Sequence, residues 1–183
     1  MVERIYAITD RFLPHSRLVL ALLCMVLTLM WAINASPLAV LPLSAALLLV
    51  WDVARNSAVW IGFRAFRQGN MPRVRRLLES VHWPQLLSMR STAYYHWLKG
   101  AVEVADGRYE AARVHLLVAA AGQLRTENDR SLVQCLLAEL ALQQGHRQRA
   151  IDHLQLANAL AHNANVAPVI QSLHRRIEDS ASR

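Results

Sequence analysis

Hydrophobic and polar positions divide this chain into two regimes. From Leu18 to Trp51 no residue is charged: LVLALLCMVLTLMWAINASPLAVLPLSAALLLVW. A stretch with no polar face cannot be an amphipathic surface helix. A membrane-crossing helix needs about 20 apolar residues, so the run is too long for one span and tight for two. Asn34-Ala35-Ser36-Pro37 interrupts it with turn chemistry. The pattern predicts a helical hairpin, with one arm over about 16–34 and a second over about 37–54 that continues beyond. Each arm would be about 27 Å long, with Arg17 and Arg55 able to snorkel at its ends. A hairpin re-entering one leaflet and a buried hairpin of a soluble protein are the other readings. A cleaved signal peptide fits poorly, because the apolar stretch is too long and doubles back.

Beyond the hairpin the glycines are periodic. Gly69, Gly107 and Gly145 are spaced by 38 residues. Gly62 and Gly100 share that spacing, with Ala138 next in the register and Gly122 outside it. Three segments align: IGFRAFRQGNMPRVRRLL, LKGAVEVADGRYEAARVHLL and LAELALQQGHRQRAIDHLQL. A fixed period of this size signals stacked helical units. Gly107 is placed to end a first helix in the left-handed conformation. Gly100 and Gly62 would let a second helix approach closely. Tyr109, Ala112, Leu116 and Ala119 recur at helical spacing and should face the first helix. Residues 165–179 read as a last amphipathic helix, with Val166, Val169, Ile170, Leu173 and Ile177 in one stripe. Its expected role is to cap the outer face of the stack.

This pattern resembles the tetratricopeptide repeat, a small residue in the first helix, then a Gly and an aromatic at the turn, then an Ala in the second helix. Gly100, Gly107, Tyr109, Ala112 and Ala119 carry the resemblance, with Trp97 near the aromatic position early in the first helix. The third unit keeps Gly145, Ala150, Ile151, Leu154 and Ala157 but has Arg147 in place of the turn aromatic. The first is degenerate, with Pro72 opening its second helix and Val74 in place of Ala. The resemblance covers roughly residues 55–163, with a period longer than the usual 34. The expected fold is all-α: a transmembrane hairpin, a tetratricopeptide-like α-solenoid of about three helix pairs, and a C-terminal capping helix. The domains fall at 1–17 (lead segment), 18–54 (hairpin, turn near 34–37), 55–163 (repeats) and 164–183 (cap and tail).

Charge sets the orientation. The chain of 183 residues is 54% hydrophobic and carries a formal net charge of +7. Arg4, Arg11 and Arg17 precede the hairpin. Arg55, Arg64, Arg67, Arg73, Arg75 and Arg76 follow it, with no acidic residue from Val53 to Leu78. Basic residues stay on the cytoplasmic side, so both termini and the repeats are expected there, in a multi-pass protein of a bacterial inner membrane. Nineteen Arg against the single Lys99 hint at a bacterial source. A pI near 10.4 also raises nucleic acid. Here the excess lies beside the apolar run, where Arg55, Arg64, Arg73, Arg75 and Arg76 would meet anionic lipid. No stacking platform for bases is visible, so no nucleic-acid partner is expected.

Candidate chemistry is sparse. No phosphate loop, metal-ligand spacing or acid–base pair stands out, so neither an enzyme nor a cofactor is predicted. His115 and His153 occupy equivalent places and read as surface side chains before a metal or heme site. Cys24 and Cys135 read as small apolar fillers. In the repeat family, ligand contacts come mostly from the first helices of the pairs. The resemblance therefore implies a partner-binding groove of Phe63, Phe66 and Arg67 from the first unit; Tyr94, Trp97, Ala101 and Val104 from the second; and Cys135, Glu139, Leu142 and Gln143 from the third. A peptide or helix of a protein partner would fill it; the other reading is that Trp97, Phe63 and Phe66 pack the core, or that Phe63 and Phe66 touch the bilayer. Two functions follow: a membrane-anchored scaffold similar in layout to HemY-type proteins, or an integral subunit of a secretion, polysaccharide-export or heme-related complex. In the second, the hairpin itself would pack on other membrane helices through Pro37, Pro42, Ala35, Ser36, Ser44, Ala45 and Ala46.

Overall fold

The computed structural model describes residues 19–33, 40–164 and 166–179, with the side chains of Ala54 and Arg55 excepted. Among these residues the secondary structure is helical, with no strand. The helices are α1 (Val19–Ile33), α2 (Val40–Arg67), α3 (Met71–Glu79), α4 (Met89–Ala105), α5 (Tyr109–Ala121), α6 (Glu127–Gln143), α7 (Arg147–Ala159) and α8 (Ala167–Asp179), with a short 3₁₀ turn at Pro84–Leu86. The chain divides into two units, Met1–Ser57 and Ala58–Arg183. The predicted lead segment and the 34–37 turn lie outside the described residues.

In the first unit, α1 and the early part of α2 bury small side chains and expose large ones. Ala21 and Ala46 are buried, whereas Leu22, Leu29, Ile33, Leu41, Leu48 and Trp51 are exposed. Hydroxyls turn back onto their own helix: Thr28 Oγ1 donates to the Cys24 carbonyl at 2.7 Å and Ser44 Oγ to that of Leu41 at 2.8 Å. This leaves few polar groups on the helix surfaces. Among the described residues α2 alone has the length and composition to cross a membrane; α1 is apolar but shorter. Pro42 sits in the first turn of α2, where its missing N–H costs little. No helix breaker follows before Gly62, so the expected second arm and the first helix of the repeats form one 28-residue helix.

The second unit is built from helix–corner–helix pairs. Gly69, Gly107 and Gly145 have φ of 72°, 73° and 76°, a region open to Gly because it has no Cβ. Each closes the same two backbone bonds. Gly69, Gly107 and Gly145 N–H donate to the carbonyls of Phe66, Val104 and Leu142 at 2.9, 3.0 and 3.0 Å. Asn70, Arg108 and His146 N–H donate to those of Ala65, Glu103 and Ala141 at 3.0, 2.9 and 2.8 Å. This is a Schellman closure, repeated at the predicted period.

Past each corner comes a fully buried residue, Val74, Ala112 or Ala150. Ala119 and Leu116, and Ala157 and Leu154, continue the buried side of α5 and α7. Tyr109 departs from its predicted stripe and lies exposed at the rim. Side chains start α3, α4 and α6, where Asn70, Ser88 and Thr126 accept from the N–H of Arg73, Ser91 and Asp129.

Helices adjacent in sequence are adjacent in space: α3 packs on α4, α4 on α5, α5 on α6, α6 on α7, and α8 on α6 and α7. Two apolar clusters result, and α6 serves both. Val133, Leu137 and Leu140 face the first; Cys135, Ala138 and Ala141 face the second. The second is closed by Val166, Ile170, Leu173 and Ile177. Val169, predicted in that stripe, is exposed instead. At three residues after Val166 and four before Leu173 it falls at the stripe's edge.

At Gly100 the second helix of the pair approaches closely: a Cβ there would meet Leu116 Cγ at 2.7 Å. At Gly62 the nearest neighbour is Leu98 of α4, at 3.2 Å, ahead of Leu77 of its own pair at 3.9 Å. Gly62 therefore serves chiefly the contact between pairs, a correction to its predicted role. Gly107→Ala should cost about 1–2 kcal/mol for the left-handed backbone with no clash, as no atom lies within 4 Å. Gly100→Ala should destabilise by overpacking, about 1–3 kcal/mol, partly offset by helix propensity. Chemical denaturation in a double-mutant cycle checks both: in a Leu116→Ala background the added cost of Gly100→Ala should vanish, while that of Gly107→Ala should persist.

Candidate functional site

The predicted groove residues divide between the two clusters: Phe63, Phe66, Tyr94, Trp97 and Val104 gather in the first, where Tyr94 and Trp97 are core, and Cys135 and Leu142 lie in the second. Along α2, Trp60, Phe63 and Phe66 recur every three residues and face α4. Ring centroids lie 4.8 Å apart for Trp60–Tyr94 and Phe63–Tyr94, and 5.1 Å for Phe63–Trp97. Phe66–Trp97 and Tyr94–Trp97 follow at 6.1 and 5.8 Å. These are the offset and edge-on spacings that aromatic pairs favour. Tyr94 and Trp97 are each 1% exposed, so they hold α4 to α2 and present no surface to a partner. Trp60 was missed from sequence, although its spacing to Phe63 marks the same helix face.

Two polar atoms lie in this cluster. The Tyr94 hydroxyl donates to the Asp129 carboxylate and accepts from Arg125 N–H at 3.3 Å. Burial first, and then that carboxylate, push its pKa well above the usual phenol value. It therefore stays a protonated donor tying α4 to the start of α6. Trp97 Nε1–H is different. Among the described residues it is a buried side-chain polar atom with no hydrogen-bond partner, a net cost of about 1–3 kcal/mol set against the rings around it.

The other groove residues are more open. Ala101 is buried, Phe63, Phe66, Val104, Glu139 and Leu142 are half-buried, and Arg67 and Gln143 are exposed. Arg176 Nη1 donates to Glu139 Oε1 at 3.0 Å, so α8 occupies that carboxylate. Cys135 is buried, which pushes its thiol up to about 11; it is a small filler against α7. The accessible part of the predicted groove is thus Arg67 and Gln143, with the half-buried Phe63, Phe66, Val104 and Leu142.

The basic residues also divide. Arg64, Arg67, Arg73 and Arg76 are exposed, while the Arg55 side chain lies outside the described residues. Arg75 makes a two-pronged contact with Asp106, 2.9 Å from Nη1 to Oδ2 and closer still from Nη2 to Oδ1. Arg108 reaches the same carboxylate at 2.7 Å and also Glu103. The Arg75 hydrogen bond, chiefly, holds the Asp106 carboxyl below its ordinary range. Arg75, expected against lipid, thus ties α3 to the corner between α4 and α5. One period on, Gln144 Nε2 donates to Glu110 Oε1 at 2.8 Å and ties the next corner to α5.

His115 and His153 do occupy equivalent places, and each pairs with the first helix of its own pair. His96 Nδ1 lies 3.0 Å from His115 Nδ1, and His153 Nδ1 lies 2.8 Å from Gln134 Oε1. Among the described residues no group of three or more His, Cys, Asp or Glu gathers as a metal site. No model of a known protein family matches this chain, and no curated protein or solved structure matches it.

The histidine pair has a consequence in pH. Two imidazole nitrogens at contact distance can share one proton, and two protons would repel. Both pKa values are lowered. At His96 burial is the main cause, then His115 and Lys99; at His115 it is burial, then Lys99, against Glu103. A base with a lowered folded pKa binds fewer protons folded than unfolded. Stability from this pair is therefore full above the unfolded value of about 6.5 and is lost as pH falls through and below it. His96→Gln recreates the Gln134–His153 arrangement. Urea unfolding of both proteins above and below that value should show a smaller acid-side loss in the variant; equal losses would remove the pair from the account.

Proposed function

We propose that this chain is a scaffold anchored on the cytoplasmic face of a bacterial plasma membrane. Residues 58–179 would form a tetratricopeptide-like solenoid that holds protein partners on the corner ends of its first helices. The observation that carries this reading is the recurrence of one helix–corner–helix unit at residues 69, 107 and 145, with the same two backbone bonds each time. Repetition builds a long surface from short units. Arg67, Val104, Leu142 and Gln143 offer it both apolar and hydrogen-bonding contacts.

The anchor rests on the exposed apolar side chains of α1 and early α2. A two-pass hairpin asks the residues flanking α1 to complete its crossing, since a span takes about 20 residues. The arginines from Arg64 to Arg76 then mark the cytoplasmic side. The second reading, an integral subunit gripped through its hairpin, draws on the same exposed side chains, because other membrane helices would cover them as well as lipid does.

Photo-crosslinking residues placed singly in native membranes separate the two readings. The scaffold predicts protein adducts from positions 104, 142 and 143, and lipid adducts from positions 22 and 48. Protein adducts confined to 22 and 48 would favour the integral subunit and end the scaffold reading.

A further inference from the structure

The second unit carries an apolar loop at one particular end. Trp60 stacks on Tyr94, Phe63 on Tyr94 and Trp97, and Phe66 on Trp97. Rising numbers on α2 thus meet rising numbers on α4, and the two helices run parallel. The glycine corners sit at one end of the unit. The loops that lead into α4, α6 and α8 sit at the other, which is also where the chain arrives at Ala58. Met89, five residues before Tyr94, lies about 7.5 Å further toward that end than Trp60's partner ring.

The three loops at this end differ. The second buries its leucine, with Leu124 at 6% exposure, and the third buries Val166 at 2%. The first holds Leu87 inward at 8% but turns Trp83, Leu86 and Met89 out at 64%, 43% and 75%. Leu86 and Leu124 are one period apart, so the same position is inside in one loop and outside in the other. Pro84 opens the 3₁₀ turn that sets this arrangement, with Trp83 just before it. No Asp or Glu occurs from Ser80 to Val102, and Arg90 is exposed beside Met89. The loop exposing its apolar residues is the one belonging to the pair that α2 begins.

We propose that this loop is a second, interfacial contact with the bilayer: Trp83, Leu86 and Met89 enter the headgroup region of an anionic membrane, with Arg90 among the phosphates. The proposal rests on the anchor reading, under which the chain leaves the membrane shortly before it enters this end of the unit at Ala58. Tryptophan suits that depth because its ring is apolar and its N–H can stay hydrated. Basic residues next to a buried apolar edge add attraction to anionic lipid. The contact would hold the repeats at a set angle to the membrane, which a single helix passing into them does not.

The test uses the full chain in phosphatidylethanolamine–phosphatidylglycerol vesicles containing lipids brominated near the headgroup. Tryptophan emission is compared for the wild type, Trp83→Phe and Trp51→Phe, so that differences isolate each ring; both side chains are exposed, so both variants should fold. The proposal predicts that most of the Trp83 signal is quenched by the brominated lipid and is shifted to shorter wavelength than in detergent-free unfolded protein. Quenching of Trp51 with an unquenched, solvent-like Trp83 overturns the loop contact and leaves the anchor standing. A Trp83 signal shifted to short wavelength but unquenched means that another protein surface covers the loop, which also overturns it. If neither ring is quenched, the anchor fails and the loop contact fails with it.

Discussion

A left-handed glycine is the constraint on which the helical stack depends. At Gly69, Gly107 and Gly145 the backbone reverses within three residues while two N–H groups remain bonded to carbonyls of the helix just ended. Without that reversal, α4 would run on through Asp106, and Ala112 and Leu116 would not return against Gly100. The reversal also fixes where small residues are needed. The residue five past each glycine, Val74, Ala112 or Ala150, is fully buried. Gly62, Gly100 and Ala138, seven before each, share the opposite helix with it. The corner recurs in all three pairs, whereas Gly100 admits the second helix of its own pair and Gly62 admits α4 instead.

Between pairs the work passes to larger side chains. The first helices α4 and α6 are buried on more than one side, and α6 supplies Leu137 and Leu140 to one cluster and Cys135 and Ala138 to the next. The Trp60–Phe63–Phe66 face closes the stack at its α2 end, and α8 closes the other with Ile170, Leu173 and Ile177. Polar ties follow the same order. Arg75 with Asp106, and Glu110 with Gln144, join each corner to the second helix before it. Tyr94 and Asp129 join the opposite ends.

The local part of this design was legible in the sequence. A left-handed residue must nearly always be glycine, so the 38-residue spacing exposed the corners, and the small residues around Gly100 and Ala112 exposed the close contact. What was not legible depends on partners distant in the chain. Tyr94 and Trp97 were placed on a groove because the first-helix face is open in the family resembled. Here α2 lies across it, and two phenylalanines and a tryptophan close the space. Arg75 was assigned to lipid because it lies in a run of arginines; its carboxylate is 31 residues away. His96 was not legible as half of a pair, because its counterpart one period on, Gln134, is a different residue type. Gly62 carried the right spacing and was assigned to the wrong neighbour, since a period cannot tell which of two adjoining helices a glycine admits.

The central claim is best tested at the backbone. Chemical shifts and scalar couplings of the full chain in detergent micelles report the sign of φ at Gly69, Gly107 and Gly145, and hydrogen exchange reports the amides of Asn70, Arg108 and His146. The account predicts positive φ at all three glycines and slowed exchange at all three following amides. Right-handed helix continuing through any of the three glycines, or free exchange at the amide after it, would contradict it.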